Sequence, residues 1–126
     1  MPVTAFQIMK LSQHQERDVE RELSAIYPGA RRQPGSGNIP DQPNDVYVPE
    51  HFFVECKLTT KLSMIMPLAW FERALRKSVS YGVRAILALR FVDINGRNNG
   101  VHRDYVVVEK EFFYHLLECE KQVDQH

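Results

Sequence analysis

The chain is predicted to be an α/β layer fold, a mixed central β-sheet flanked by helices. Three features carry that prediction. Apolar residues recur at helical spacing in two segments, along Val19, Leu23, Ile26 and Tyr27 and again between Pro67 and Tyr81. Polar and apolar side chains alternate after Asp45 and again through Val54-Glu55-Cys56-Lys57-Leu58, the period of a half-buried strand. Ala85-Ile86-Leu87-Ala88-Leu89 is a continuous apolar run, the pattern of a central strand covered on both faces. The expected order is helix, three strands, helix, strand, strand, helix.

The first helix is expected to open at Ser12-Gln13-His14-Gln15, which reads as a capping box, and to stop at Pro28-Gly29. Ala30 to Gln33 can form a short edge strand. Pro34 to Asn44 is a loop with two glycines and three prolines. No Lys-Ser or Lys-Thr pair follows the glycines, so they do not form a P-loop cradle. Two short strands then flank a tight turn at Pro49-Glu50-His51. Pro67 suits the first position of a helix, which should run to about Tyr81 and end at Gly82. Trp70, Ala74, Leu75 and Val79 are expected to pack inward, with Arg73, Arg76 and Lys77 on the more exposed side. Val83 to Val92 is a buried strand. Asp93-Ile94-Asn95-Gly96 signals a turn, Tyr105 to Glu109 a strand antiparallel to the last, and Glu111 to Glu120 a helix. The tail after Lys121 is expected to fray.

The whole chain of 126 residues, with 44% hydrophobic and 25% charged side chains, fits one soluble domain with a single core. Met1 to Lys10 lacks a basic region followed by an apolar run, and no segment approaches the roughly 18 apolar residues that span a bilayer. Two cysteines, Cys56 and Cys119, make no disulfide framework. The expected setting is intracellular, in cytoplasm, nucleoid or the cytoplasm of a phage-infected host, with no membrane partner. The formal net charge is zero but unevenly placed: residues 57–103 carry nine basic and two acidic side chains. A basic middle is a footprint for phosphates; Arg73, Arg76 and Lys77 read equally well as a solvated helix face.

The chemistry concentrates between Asp45 and Lys57. Glu55 and Lys57 lie two apart on a strand and share a face, while Val54, Cys56 and Leu58 point the other way. Pairing the two strands through their short turn brings Asp45 toward Glu55. Two carboxylates and an ammonium at one end of a sheet suit a divalent cation with a positive charge beside it. The five histidines show no zinc spacing, Cys56 reads as a small core residue, and neither cysteine has a histidine at a spacing useful for thiol catalysis.

This arrangement resembles the PD-(D/E)XK nuclease superfamily, with Asn44-Asp45 and Glu55-Cys56-Lys57 in the motif positions. Upstream, Glu16-Arg17 on the first helix and Arg32, Pro34, Ser36 and Gly37 on the loop are similar in order and spacing to the archaeal-type Holliday junction resolvases. The likeness covers roughly residues 12 to 92. Asn44 stands where proline is usual, the hairpin between the motif strands is very short, and the C-terminus differs.

The resemblance implies a restriction-endonuclease-like fold and a Mg²⁺-dependent endonuclease, with Mn²⁺ as a substitute. Asp45, Glu55, the backbone carbonyl of Cys56 and, in preference to Glu20, Glu16 would hold the metal; Lys57 would orient water or stabilise the phosphorane. Ser36 would contact a phosphate or support the site, though it also reads as a turn residue. Arg17, Arg32, Lys61, Arg73, Arg76 and Lys77 would meet DNA. A homodimer placing symmetric nicks across a four-way junction is further implied, with Phe112, Phe113, Leu116 and Leu117 as a candidate interface, though intramolecular core packing is the reading preferred for them. Two rival expectations are a related nuclease acting on flaps, nicks or single strands, and a silent nucleic-acid-binding module.

Overall fold

The computed structural model describes residues 3–32, 45–93 and 102–124. Its first helix, α1 (Ala5–Ser24), begins a full two turns earlier than the sequence suggested. Thr4, not Ser12, caps it. Thr4 Oγ1 accepts from the backbone N–H of Gln7, and the Gln7 side-chain oxygen accepts from the backbone N–H of Thr4. That reciprocal pair satisfies two amide groups the first turn leaves open, so Ser12 falls inside the helix. At the other end α1 stops at Ser24, capped by Ala25. Ile26 therefore lies beyond the helix and is 69% exposed rather than part of its buried stripe.

The chain continues through β1 (Arg31–Arg32), β2 (Asp45–Val48), β3 (Phe52–Thr59), α2 (Leu68–Tyr81), β4 (Arg84–Val92), β5 (His102–Val107) and α3 (Lys110–Asp124). The five strands among the described residues form one mixed sheet in chain order. β1–β2, β2–β3 and β4–β5 are antiparallel, and β3–β4 is parallel with α2 as its crossover. The β2–β3 turn places Glu50 at φ 70°, and the His51 N–H donates to the Val48 carbonyl at 3.0 Å. A non-glycine residue in that region closes the three-residue loop at some strain.

Each face of the sheet takes its own helix. Val46, Val54, Cys56 and Ala88 form a buried cluster with Val19 and Leu23 of α1. Ala74, Leu87 and Leu89 form another, with Trp70 and Phe71 of α2 and Val107 of β5 against it. The odd residues of β3, Phe53, Glu55 and Lys57, thus look toward α2. Because Leu87 and Leu89 face one helix and Ala88 the other, β4 is covered on both sides, as its apolar run predicts.

The orientation of α2 departs from expectation. Its closest line to the sheet is Ala74 and Ser78, each 1% exposed. These small residues one turn apart let the helix approach the strands. Leu75 and Val79, read as core, are rotated outward and exposed. Arg73 and Lys77, read as the outer side, flank the contact line and reach the sheet. Pro67 caps α2 from an extended conformation instead of occupying its first turn. Gly82 ends it at φ 70°, a conformation glycine adopts without Cβ crowding.

β5 covers His102–Val107, earlier than expected, and α3 continues past Lys121 to Asp124 with no glycine or proline to stop it. Of the apolar residues of α3, Phe112 is buried, its ring 5.8 Å from that of Phe52. Phe113, Leu116 and Leu117 are exposed, so the core-packing reading holds for Phe112 alone. No helix among the described residues is long and apolar enough to cross a membrane.

Candidate active site

The strand register sets Asp45 opposite Glu55. Facing residues on neighbouring antiparallel strands carry Cβ atoms about 4.5–5.5 Å apart, so the two carboxyl groups share one small volume under α2. Both are buried, Asp45 at 2% and Glu55 at 0% exposure. Two buried like charges are costly unless cations or protons offset them.

α2 supplies the cations. Arg73 Nε donates to Glu55 Oε1 at 3.0 Å, and Lys77 Nζ donates to Asp45 Oδ2 at 2.8 Å. Their four-residue spacing puts the two on one face of the helix, one turn apart. Their side chains remain 37% and 38% exposed, so each sets its charged end on a buried acid and leaves part of its length open to water. The other oxygen of each carboxylate, Asp45 Oδ1 and Glu55 Oε2, is buried and has no hydrogen-bond partner among the described residues. Burial pushes the Asp45 carboxyl up from its ordinary value, Lys77 pulls it back without cancelling the rise, and Glu55 adds to it.

Lys57 shares the α2 face with Glu55 but pairs with an aromatic ring. Its Nζ lies 4.5 Å from the centroid of Trp70, a favourable place for an ammonium. Burial pushes Lys57 below its ordinary value; the Glu55 charge draws it back up and Arg73 opposes that. Among the described residues Lys57 makes no salt bridge, so its ammonium is the cation near the acids that is not bound to one of them.

Glu16 is 8% exposed on α1. Burial raises its pKa, Arg32 lowers it, and the charges of Asp45 and Glu20 raise it. It does not complete a cage: among the described residues no group of three or more His, Cys, Asp or Glu could hold a metal ion. Glu20 is tied to Arg32 instead, accepting from its backbone N–H at 2.7 Å with the guanidinium at 3.6 Å. Cys56 faces α1, and burial raises its thiol pKa far beyond the ordinary value, as suits a core residue. Ser36, with the rest of the loop segment Pro34 to Asn44, lies outside the described residues.

Of the expected DNA-contacting residues, Arg17, Arg32, Lys61 and Arg76 are exposed, whereas Arg73 and Lys77 lie on the acids. The basic middle is smaller than its count. Arg90, part of that count, is 3% exposed and clamped by Asp104 at 2.7 and 2.9 Å and by Asp18 at 2.8 Å. It joins α1, β4 and β5 and has no charge to spare for phosphate.

The roles of two residues near the site went unread in the sequence, where Gln15 figured only in a capping box. Gln15, 2% exposed, donates from Nε2 to the carbonyls of Lys57 and Ala88 at 3.0 and 3.1 Å, fixing α1 to β3 and β4 beside the motif lysine. Trp70, read as core, is also the seat of the Lys57 ammonium. A long-range hydrogen bond and a ring contact have no local spacing that would signal them.

Asp45 Oδ1 and Glu55 Oε2, buried oxygens of two facing residues and without a hydrogen-bond partner among the described residues, are hard ligands of the kind Mg²⁺ takes. Arg73 and Lys77 already balance the formal charge of the same carboxylates, so any such cation must compete with them. No family model, curated protein or solved structure matches the chain.

Proposed function

We propose that the chain is a Mg²⁺-dependent, structure-selective DNA endonuclease with a restriction-endonuclease-like fold, acting as a homodimer on four-way junctions. The observation that carries the proposal is the register pairing of Asp45 with Glu55, with Lys57 two residues on and facing the same helix. The resemblance of Glu16-Arg17, the Arg32 to Gly37 segment and Glu55-Cys56-Lys57 to the junction resolvases gives the substrate class.

Asp45 Oδ1 and Glu55 Oε2, with the Cys56 carbonyl, would hold the metal. Bound there, it would supply a Lewis acid and a water of lowered pKa. The residues of the chain do the rest. Lys57, which pairs with no carboxylate among the described residues, presents a positive charge where the phosphorane develops its own negative charge. Trp70 holds that ammonium in place and excludes water from one side of it. Arg17, Arg32, Lys61 and Arg76 offer exposed positive charge to the DNA backbone.

One observation favours a second reading, a silent nucleic-acid-binding module. Each acid already carries a cation from α2, so the four side chains can also be a closed, charge-balanced set with a structural role. Cleavage of a four-way junction with Mg²⁺, and its loss in Glu55→Gln, distinguishes the two readings.

A further inference from the structure

Arg73 and Lys77 are held by the acids of the proposed site, yet each is more than a third exposed. A positive ion arriving at Asp45 Oδ1 and Glu55 Oε2 adds two charges to a set that is already neutral. It lies within the same small volume as the guanidinium and the ammonium, where like charges repel strongly. The flexible side chains of Arg73 and Lys77 can relieve that repulsion by turning outward, because both flank the buried line of α2 and are already partly exposed.

We propose that Arg73 and Lys77 are a displaceable pair: they neutralise Asp45 and Glu55 until a divalent cation takes the acids, and then swing out to bind DNA phosphates. The inference deepens the nuclease reading and rests on it. It makes the cation and the DNA mutually reinforcing ligands, since the metal frees the charges that the nucleic acid uses. Such coupling must be reciprocal. It also gives α2 a sensing role: DNA grip is strongest when the site is loaded.

Ca²⁺ serves as the probe, and a synthetic four-way junction as the DNA. Calorimetric titration without DNA compares wild type with Arg73→Gln/Lys77→Gln, which keeps polar donors over the acids. The double variant is expected to bind Ca²⁺ about tenfold more tightly. Electrophoretic binding assays then compare junction affinity with Ca²⁺ and with chelator. Ca²⁺ should tighten wild-type binding about tenfold and the double variant's less than about twofold.

Equal Ca²⁺ stimulation of junction binding in the two proteins overturns the exchange, even if the variant binds Ca²⁺ more tightly through charge removal alone. Ca²⁺ binding that is equal in both overturns it too and leaves the metal site standing. Failure of wild type and variant alike to bind Ca²⁺ overturns the metal reading together with the exchange. Should the variant not fold, the wild-type Arg73 Nε–H resonance replaces it. Its movement away from a carboxylate-bonded position as Ca²⁺ is added supports displacement, and an unmoved resonance at saturating Ca²⁺ overturns it.

Discussion

Lys77 Nζ lies 2.8 Å from Oδ2 of Asp45, a partly exposed lysine on a buried acid. The acid cannot follow the lysine to water, because Asp45 is fixed in β2 opposite Glu55. Removing the lysine therefore strands a charge. Lys77→Met is expected to destabilise the fold by about 1–3 kcal/mol, and adding Asp45→Asn to recover most of that loss. Urea unfolding of the two single variants and the double one measures the coupling. Additive effects would mean that the contact contributes nothing.

Asp45 carries a second, opposite signature. Its pKa lies above the ordinary 3.8 in the folded chain, burial being the largest cause. A carboxyl shifted upward binds its proton more tightly when folded, so its stabilising effect is present at acid pH. That effect is lost as pH rises from the ordinary value through the raised one. At neutral pH Asp45→Asn should thus be at least as stable as wild type while cleavage disappears. A clear drop in melting temperature with retained cleavage would assign Asp45 to the fold instead of the site.

Asp18 behaves in the opposite sense. Burial pushes the Asp18 carboxyl up, but the hydrogen bond and charge of Arg90, helped by Arg21, more than offset this and leave it below its ordinary value. A downward-shifted carboxyl contributes stability that is present above its unfolded pKa and is lost as pH falls through the folded one. Asp18→Asn is expected to cost about 1–2 kcal/mol at neutral pH, with the difference from wild type shrinking as pH falls from the ordinary carboxylate value through the lowered one. Denaturation midpoints collected from pH 7 downward check this.

The fold was legible wherever local periodicity decides it. The alternation around Glu55 gives the face that Lys57 shares with it, the short turn gives the Asp45–Glu55 register, and the run from Ala85 gives the covered central strand. Apolarity misled where small residues set the contact. Ala74 and Ser78 bring α2 onto the sheet, which turns Leu75 and Val79 outward and Arg73 and Lys77 inward. The Arg90 clamp and the Gln15 contacts join residues 14 to 73 apart in sequence, beyond the reach of any spacing rule. The charge count of the middle segment could not reveal that Arg90 is internal.

Arg76 differs from its neighbours in that it is exposed and, among the described residues, meets no acid. Arg76→Ala should weaken junction binding and lower the slope of log affinity against log salt by about one unit. Titrations at several salt concentrations give the slope. An unchanged value would return Arg76 to the solvated helix face.

The central claim is tested most directly by cleavage of a labelled four-way junction by the purified chain, with Mg²⁺ and with chelator, beside Glu55→Gln. Paired nicks placed symmetrically across the junction are predicted with Mg²⁺ alone, and none from the variant. Mixed wild-type and Glu55→Gln subunits should nick one strand without resolving the junction in a single binding event, as a two-fold dimer requires. An intact junction after incubation with wild type and Mg²⁺, or cleavage undiminished by chelator and by Glu55→Gln, would contradict the account.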